Sequence, residues 1–530
     1  MHRPFFHLCL LFLAAPALAL RPLSLDLPGA PAAVISADVD ADGRRDLAVV
    51  VAYNQWEEMA VTESSRMEGI DELVEVMTVV PQLLDRREVR VYRARPDGTY
   101  EPPRSLALPL SVLALEAGPP GMPVVALTDD GVSALRFEAG ALRLEPVIAD
   151  VPVIAGTGNF MGDLKLMRDV NDDKVPDLLL PARDGLAVYL GRPEEKGLAR
   201  RAASRVPIPN EAWRSTGDLE RRYPLPAVQD VTGDGRPDLI FRDSARRWRA
   251  VWIARNAGQG RFQPAVQVML GAGDPRGPNP VWLGDLEGNG LAEVVLRQSL
   301  DDPKRGGLRK EMAEAREPRS RITFRRLTRD LALDKAAYGS LDVTGYGFES
   351  ENADMDLPGG FRDLNGDRRP DLVTMTLDVG LPKLLGSVAT KRLTVGLDFH
   401  VWCQQKDGRF QAVKGLDLSG TFRFDLNDLR VSQLSLFSGD FDGDGRADFV
   451  QIGRGKRVTI HRGRADCGFP TKPDMAFDLR QEPRDLSLVQ IRDLDGDGKS
   501  DLLLVQPKGA VEDGMVPPVR LDLYVSGGRS

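Results

Sequence analysis

One acidic phrase recurs seven times along the 530 residues, and a chain that repeats itself this way has few folds open to it. The copies run Asp38-Val-Asp40-Ala-Asp42-Gly43-Arg-Arg-Asp46, Asp169-Val-Asn171-Asp-Asp173-Lys174-Val-Pro-Asp177, Asp230-Val-Thr232-Gly-Asp234-Gly235-Arg-Pro-Asp238, Asp285-Leu-Glu287-Gly-Asn289-Gly290-Leu-Ala-Glu293, Asp363-Leu-Asn365-Gly-Asp367-Arg368-Arg-Pro-Asp371, Asp440-Phe-Asp442-Gly-Asp444-Gly445-Arg-Ala-Asp448 and Asp493-Leu-Asp495-Gly-Asp497-Gly498-Lys-Ser-Asp501. Between Glu116 and Val124 lies a stretch with the same flanking pattern but without the carboxylates, which reads as a degenerate eighth copy. Successive spacings fall into two groups, a basic unit of 53 to 61 residues and the same unit lengthened to 77 or 78.

Each phrase sits between strand signals. A short apolar run precedes it, as at Ala32–Ile35 and Leu434–Phe437, and another follows, as at Asp177–Leu180 and Asp501–Val505. An alternating strand such as Val89–Tyr92 or Arg457–His461 comes next, often with a turn such as Arg95-Pro96-Asp97-Gly98 behind it. Gly and Pro together number 90, which fits many turns and disfavours long helical bundles. Strands in fours at this period predict an all-β propeller of four-stranded blades, eight of them, or seven if the unit at 116 merges with a neighbour. The last copy runs out at Leu521–Val525 without a fourth strand, and Pro22–Leu27 resembles the fourth-strand segment Ser105–Leu108. The first strand is therefore expected to complete the last blade, which removes an exposed sheet edge.

In the phrase, carboxylates occupy positions one, three, five and nine, and a Gly at six lets the chain turn sharply. Hard oxygen donors at alternating positions suit Ca²⁺, which takes 6–8 oxygens, better than Mg²⁺ with its tighter octahedron. The alternative is an Asp/Gly-rich turn whose side chains cap their own backbone. The candidate ligands are Asp38, Asp40, Asp42 and Asp46; Asp169, Asn171, Asp173 and Asp177; Asp230, Thr232, Asp234 and Asp238; Asp363, Asn365, Asp367 and Asp371; Asp440, Asp442, Asp444 and Asp448; and Asp493, Asp495, Asp497 and Asp501. Lys174 and Arg368 replace the Gly at position six, and the copy at 285 carries Glu287, Asn289 and Glu293, whose reach differs, so that loop is left out of the ligand set. The ions' expected role is structural, because carboxylates crowded in one loop repel until a cation neutralises them.

These repeats resemble the FG-GAP/VCBS type, which forms the blades of integrin alpha-subunit propellers and occurs in many secreted bacterial proteins. The resemblance covers nearly all of residues 20–530 and implies a single propeller domain, calcium and an extracellular binding role. Relatives of this type include adhesion receptors, lectins and some polysaccharide lyases or dehydratases, and no lectin-pocket or lyase residue set can be matched here.

Residues 1–19 read as a secretory signal, with Arg3, an apolar run from Phe5 to Ala15 and an Ala17-Leu18-Ala19 cleavage site. Export to a periplasmic or extracellular location is the expectation, and no segment is long and apolar enough for a membrane span. The net charge of −8 argues against nucleic acid as a partner. Seven bound Ca²⁺ would take the chain without its leader from −9 to +5, so its acidity says little about other partners. Beyond the leader only His400 and His461 remain, which excludes a multi-histidine metal site. Cys403 and Cys467 either form one disulfide or stay as two buried thiols.

Insertions are expected at about 53–87, 301–358 and 379–392. Ile70, Leu73, Val74, Met77 and Val80 recur at helical spacing in the first. In the second, Lys304 to Arg329 holds ten basic residues against three acidic, a patch for anionic polysaccharide or lipid headgroups or else a solvated loop. The third reads as a short helix at Pro382–Thr390. Tyr189 and Trp402 are aromatics that could stack on sugars or fill the core. The function that follows is a secreted, calcium-stabilised, non-catalytic module for a glycan or an extracellular or envelope protein. The alternatives are a lyase-type enzyme acting on polysaccharide and a scaffold of an envelope complex.

Overall fold

The computed structural model describes residues 20–53, 86–152, 165–207, 214–215, 221–222, 225–243, 249–271, 277–301, 316–347, 360–378, 392–416, 418–425, 430–453, 455–483, 486, 489–508 and 519–526. The expected leader, the helical segments at 56–85 and 382–390, and the basic residues 304–310 lie outside them. Among the described residues the chain is all-β, its one helical element of any length a 3₁₀ turn at Pro193–Glu195. No helix there is long and apolar enough to cross a membrane.

Six sheets have four antiparallel strands each. The first runs Ala30–Ala37, Asp46–Tyr53, Arg86–Tyr92, Arg104–Leu108, and the second Val112–Ala117, Val124–Thr128, Gly131–Glu138, Ala141–Ile148. The third comprises Met167–Arg168, Asp177–Ala182, Gly185–Tyr189 and Ser204–Val206, and the fourth Ala227–Gln229, Asp238–Arg242, Ala250–Ala254 and Val266–Met269. The fifth comprises Asn279–Gly284, Glu293–Ser299, Arg319–Arg326 and Gly339–Thr344. A nine-stranded sheet follows, from Gly360–Arg362 through Asp371–Asp378, Arg392–Gln404, Ser419–Asp425, Arg430–Phe437, Phe449–Ile452 and Arg457–His461 to Met475–Asp478, with Phe410–Ala412 at one side. Its middle joint, Ser419–Asp425 against Arg430–Phe437, holds three register pairs and a bulge, so it divides there into two halves of four. The last sheet sets Gln490–Arg492, Asp501–Pro507 and Val519–Val525 beside Arg21–Leu27, whose seven residues pair in unbroken register from Arg21↔Val525 to Leu27↔Val519. The expected pairing of the first strand with the last sheet is thus observed.

The expected insertion at 301–358 is only partly one. Arg319–Arg326 is in register with Glu293–Ser299 over its length, and Gly339–Thr344 pairs with it in turn, so both belong to the fifth sheet. The alternation Ser320, Ile322, Phe324 on one face, hidden in the sequence by the intervening arginines, is a strand signal.

The second strand in each sheet follows the acidic phrase and is apolar without alternation, because both of its faces are covered. Asp46–Tyr53 is buried at every residue but the last and Asp177–Ala182 at every residue. Even and odd positions feed different cores. Ala48 and Val50 pack with Val124 and Leu135 of the next sheet, whereas Leu47 and Val49 pack with Leu503 and Leu521 of the last. The pattern continues along the chain: Leu127 with Leu180, Leu179 with Phe241, Ile253 with Val294, Val295 with Leu372, Phe399 with Phe437 and Phe449, and Ile460 with Leu502 and Tyr524. Fourth strands such as Arg104–Leu108 are mostly exposed, so burial falls off across each sheet.

Cys403 and Cys467 are disulfide-bonded, with Cα atoms 5.7 Å apart across 64 residues of sequence. The bond ties the third strand of one half of the nine-stranded sheet to the turn after Arg457–His461 in the other.

Candidate metal centres

Every acidic phrase forms the loop between the first and second strands of its sheet, and the backbone shapes it in the same way each time. The position-one carboxylate accepts the N–H of position six, from Gly43 to Asp38 at 2.9 Å, Lys174 to Asp169 at 2.8 Å, Arg368 to Asp363 at 2.7 Å and Gly445 to Asp440 at 2.7 Å. Position five accepts the N–H of position seven, as in Arg44 to Asp42, Val175 to Asp173 and Lys499 to Asp497. These are Asx-type turns, so the capping seen as the alternative to metal binding is present along with whatever else the carboxylates do.

Lys174 and Arg368 take the left-handed conformation that position six demands, at φ 65° and 66°, close to the 82° of Gly445. Nothing surrounds the position-six α-carbon at Gly43, Gly235, Gly445 or Gly498, so a side chain fits at the cost of backbone strain alone. Position four, which the sequence reading passed over, is the crowded one. Gly366 approaches the neighbouring loop so closely that a Cβ would sit 2.6 Å from the carbonyl oxygen of Gly445. Gly233 stands in the same way against Gly290 and Leu291, Gly288 against Arg369, Gly443 against Lys499 and Gly496 against Arg45. The loops at 230, 285, 363, 440, 493 and 38 therefore touch in sequence. Hydrogen bonds join them too: Ala447 N–H donates to the Leu364 carbonyl, Ser500 N–H to the Asp440 carbonyl, and Ser36 Oγ to the Leu494 carbonyl.

Position nine is fully buried and tied to two amides. Asp46 accepts from Val39 and Ala94, Asp177 from Val170 and Gly191, Asp238 from Val231 and Asn256, Asp371 from Leu364 and Gln404, Asp448 from Phe441 and Gly463, and Asp501 from Leu494 and Ser526. One amide is the residue after position one and the other closes the third strand, so each carboxylate clasps three strands of its sheet. Burial outweighs these hydrogen bonds and pushes Asp46, Asp177, Asp371 and Asp448 up to about 6, and Asp501 and Glu293 to about 7.

The loops then divide by what meets position three. Asp38, Asp40 and Asp42 bring one carboxylate oxygen each within 4.8 Å of one another, as do Asp440, Asp442 and Asp448, and Asp493, Asp495 and Asp497. Asp40 Oδ1 and Asp442 Oδ1 are buried without a hydrogen-bond partner. A donor set of crowded, partly desolvated carboxylate oxygens fits a hard divalent cation. In the other loops an amide or hydroxyl at one of the phrase's own ligand positions donates to a neighbouring carboxylate instead. Asn171 Nδ2 donates to Asp173 at 2.9 Å, Asn365 Nδ2 to Asp367 at 3.2 Å, Asn289 Nδ2 to Glu287 at 2.9 Å, and Thr232 Oγ1 to Asp238 at 3.2 Å.

The degenerate copy keeps one carboxylate. Glu116 accepts the amides of Leu166 and Met167 in the next sheet, at 2.9 and 3.0 Å. Tyr189 is buried, with its hydroxyl on Asp150, and is a core residue instead of a stacking platform. Trp402 is half-buried against the fifth sheet's core. His461 is buried and donates Nδ1–H to the Pro470 carbonyl. The described part of the basic stretch is largely neutralised: Arg316 pairs with Asp378, Arg319 with Asp301, Arg321 with Asp342 and Arg326 with Glu287.

A family model described as FG-GAP-like repeat matches residues 230–296 and 440–504. Among solved structures, the exotype rhamnogalacturonan lyase YesX is similar at 12% identity and TM-score 0.29, over 95% of this chain and 72% of that one. The rhamnogalacturonan lyase YesW is similar at 14% and TM-score 0.26, over 78% and 68%. No curated protein matches the chain. The two matched segments hold the acidic loops at 230, 285, 440 and 493, and the chain carries FG-GAP-like repeats at both places.

Proposed function

We propose that this chain is an eight-bladed, calcium-stabilised β-propeller, exported, that serves as a non-catalytic binding module for a glycan or protein partner. The observation that carries the ring is the order of its cores: each sheet shares a cluster with the next, and the last shares one with the first. Counting the nine-stranded sheet as two gives eight blades, and Arg21–Leu27 closes the circle.

Calcium would be held first by the loops in which three carboxylates converge. Asp38, Asp40, Asp42 and Asp46 serve one site, Asp440, Asp442, Asp444 and Asp448 a second, and Asp493, Asp495, Asp497 and Asp501 a third. Asp169, Asn171, Asp173 and Asp177, Asp230, Thr232, Asp234 and Asp238, and Asp363, Asn365, Asp367 and Asp371 provide further sites once the amide or hydroxyl turns its oxygen inward. A bound ion supplies positive charge where carboxylates converge. Because the loops touch one another, it also fixes the face that neighbouring loops build together, and a fixed loop face is what recognition by a propeller requires.

The test is retention of the purified protein on a panel of neutral and acidic polysaccharides, in calcium and in chelator. Calcium-dependent retention supports the reading, and appearance of unsaturated sugar ends would replace it with a lyase. Chelation is expected to lower the melting temperature by several degrees, and an unchanged melt with no bound metal would remove calcium from the account.

A further inference from the structure

We infer that a guanidinium at the end of the third strand takes the place of the metal ion at the 285 loop and competes with it at the 38 and 440 loops. This rests on the reading that the acidic loops bind calcium.

The pairing register sets one third-strand residue opposite position nine in each sheet. Glu293 pairs directly with Arg326. Leu47 pairs with Tyr92 and Phe449 with His461, which puts Arg93 and Arg462 opposite Asp46 and Asp448. From that place an arginine reaches across to the position-three carboxylate. Arg93 Nη1 lies 3.3 Å from Asp40 Oδ2, and Arg462 Nε lies 3.3 Å from Asp442 Oδ2. In both carboxylates the other oxygen, Oδ1, is buried and has no hydrogen-bond partner. The guanidinium holds one oxygen and leaves the second for a cation.

At the 285 loop the position-three carboxylate has no oxygen left over. Arg326 Nη2 lies 2.9 and 3.0 Å from the two oxygens of Glu287, and Nε lies 3.2 Å from Oε2. The ring of Tyr338, 4.4 Å from the guanidinium carbon, backs the group. Planar, bidentate geometry of this kind is the strongest an arginine makes with a carboxylate. Glu293 Oε1, fully buried, has no hydrogen-bond partner, so the loop keeps a desolvated oxygen that a divalent ion would bind were the guanidinium gone.

The 493 loop supplies the contrast. Leu502 pairs with Tyr524, so Val525 stands opposite Asp501 and brings no charge to Asp495. Among the described residues no third-strand arginine pairs with Asp495, and Arg21, on the strand beyond Val525, donates to the carbonyls of Asp97 and Gly98 instead, so this loop with its four carboxylates should bind calcium more tightly than those at 38 and 440.

The experiment is equilibrium dialysis of the full chain against calcium with bound metal counted by mass spectrometry, for the wild type and for Arg326→Met, with circular dichroism to establish the fold. One additional equivalent per chain in R326M is expected. A folded R326M that binds the wild-type number of ions overturns the inference while leaving the calcium reading intact, whereas a wild type that binds none removes that reading and the inference together. Arg462→Met, at a loop expected to bind already, serves if R326M does not fold. Its calcium affinity at that loop should rise about fivefold, the scale of a partly exposed ion pair, and an unchanged or weaker affinity counts against the competition.

Discussion

Two glycines two residues apart in the repeat do different jobs, and one pair of substitutions separates them. Gly366, at position four of its loop, and Gly445, at position six of the next, both have left-handed backbones, at φ 76° and 82°. Alanine at either therefore carries a conformational penalty of about 1 kcal/mol. At Gly445 that is the whole effect, because no atom lies within 4 Å of the new Cβ. At Gly366 the Cβ would sit 2.6 Å from the Gly445 carbonyl oxygen and 3.2 Å from its carbon, both backbone atoms that cannot swing aside. Overpacking of this sort adds about 1–3 kcal/mol, so G366A should destabilise by about 2–4 kcal/mol and G445A by about 1. Urea unfolding of both variants in saturating calcium, and again in chelator, measures the difference. Equal losses in the two variants would show that the contact between loops is not a packed one, and the argument for a continuous loop face would go with it.

Other outcomes follow from the same structure. Leu523→Ala opens the core that joins the last sheet to the first, around a fully buried side chain, and should cost about 2–5 kcal/mol by urea titration; a loss under 1 kcal/mol would mean this seam is not a packed core. Cys403→Ser removes a link spanning 64 residues and should lower stability by about 4 kcal/mol on the chain-entropy account, and an unchanged unfolding midpoint under oxidising conditions would contradict the bond. The buried carboxylates make metal-free stability depend on pH in the direction opposite to ordinary acid unfolding. Asp46, Asp177, Asp371 and Asp448 at about 6, and Asp501 and Glu293 at about 7, hold a proton more tightly folded than unfolded. Their contribution is full below about pH 4 and is lost as pH rises to about 7, so in chelator the urea midpoint should climb between pH 7.5 and 5. A midpoint that falls steadily over that interval would refute the burial argument.

The acidic phrase made the repeat, its strand content and the loops' position between strands legible in the sequence, because Asp and Gly at fixed offsets and apolar runs are local signals. It also foretold the closing strand, since an unfinished last unit must find its edge elsewhere in the chain. Strand Arg319–Arg326 was not legible: four arginines among its eight residues mask the alternation of Ser320, Ile322 and Phe324. What only the tertiary structure decided is how the carboxylates are used. Position nine turned out to clasp two amides from different strands, a role set by the third strand's end and not by the phrase itself. Position four is glycine in the five loops where the loop of the next sheet lies against it, and the arginine that meets position three comes from a strand whose register no single unit specifies. Short-range chemistry wrote the loops into the sequence, while contacts made by residues tens of positions apart settled in which loops carboxylates converge and in which an arginine lies against position three.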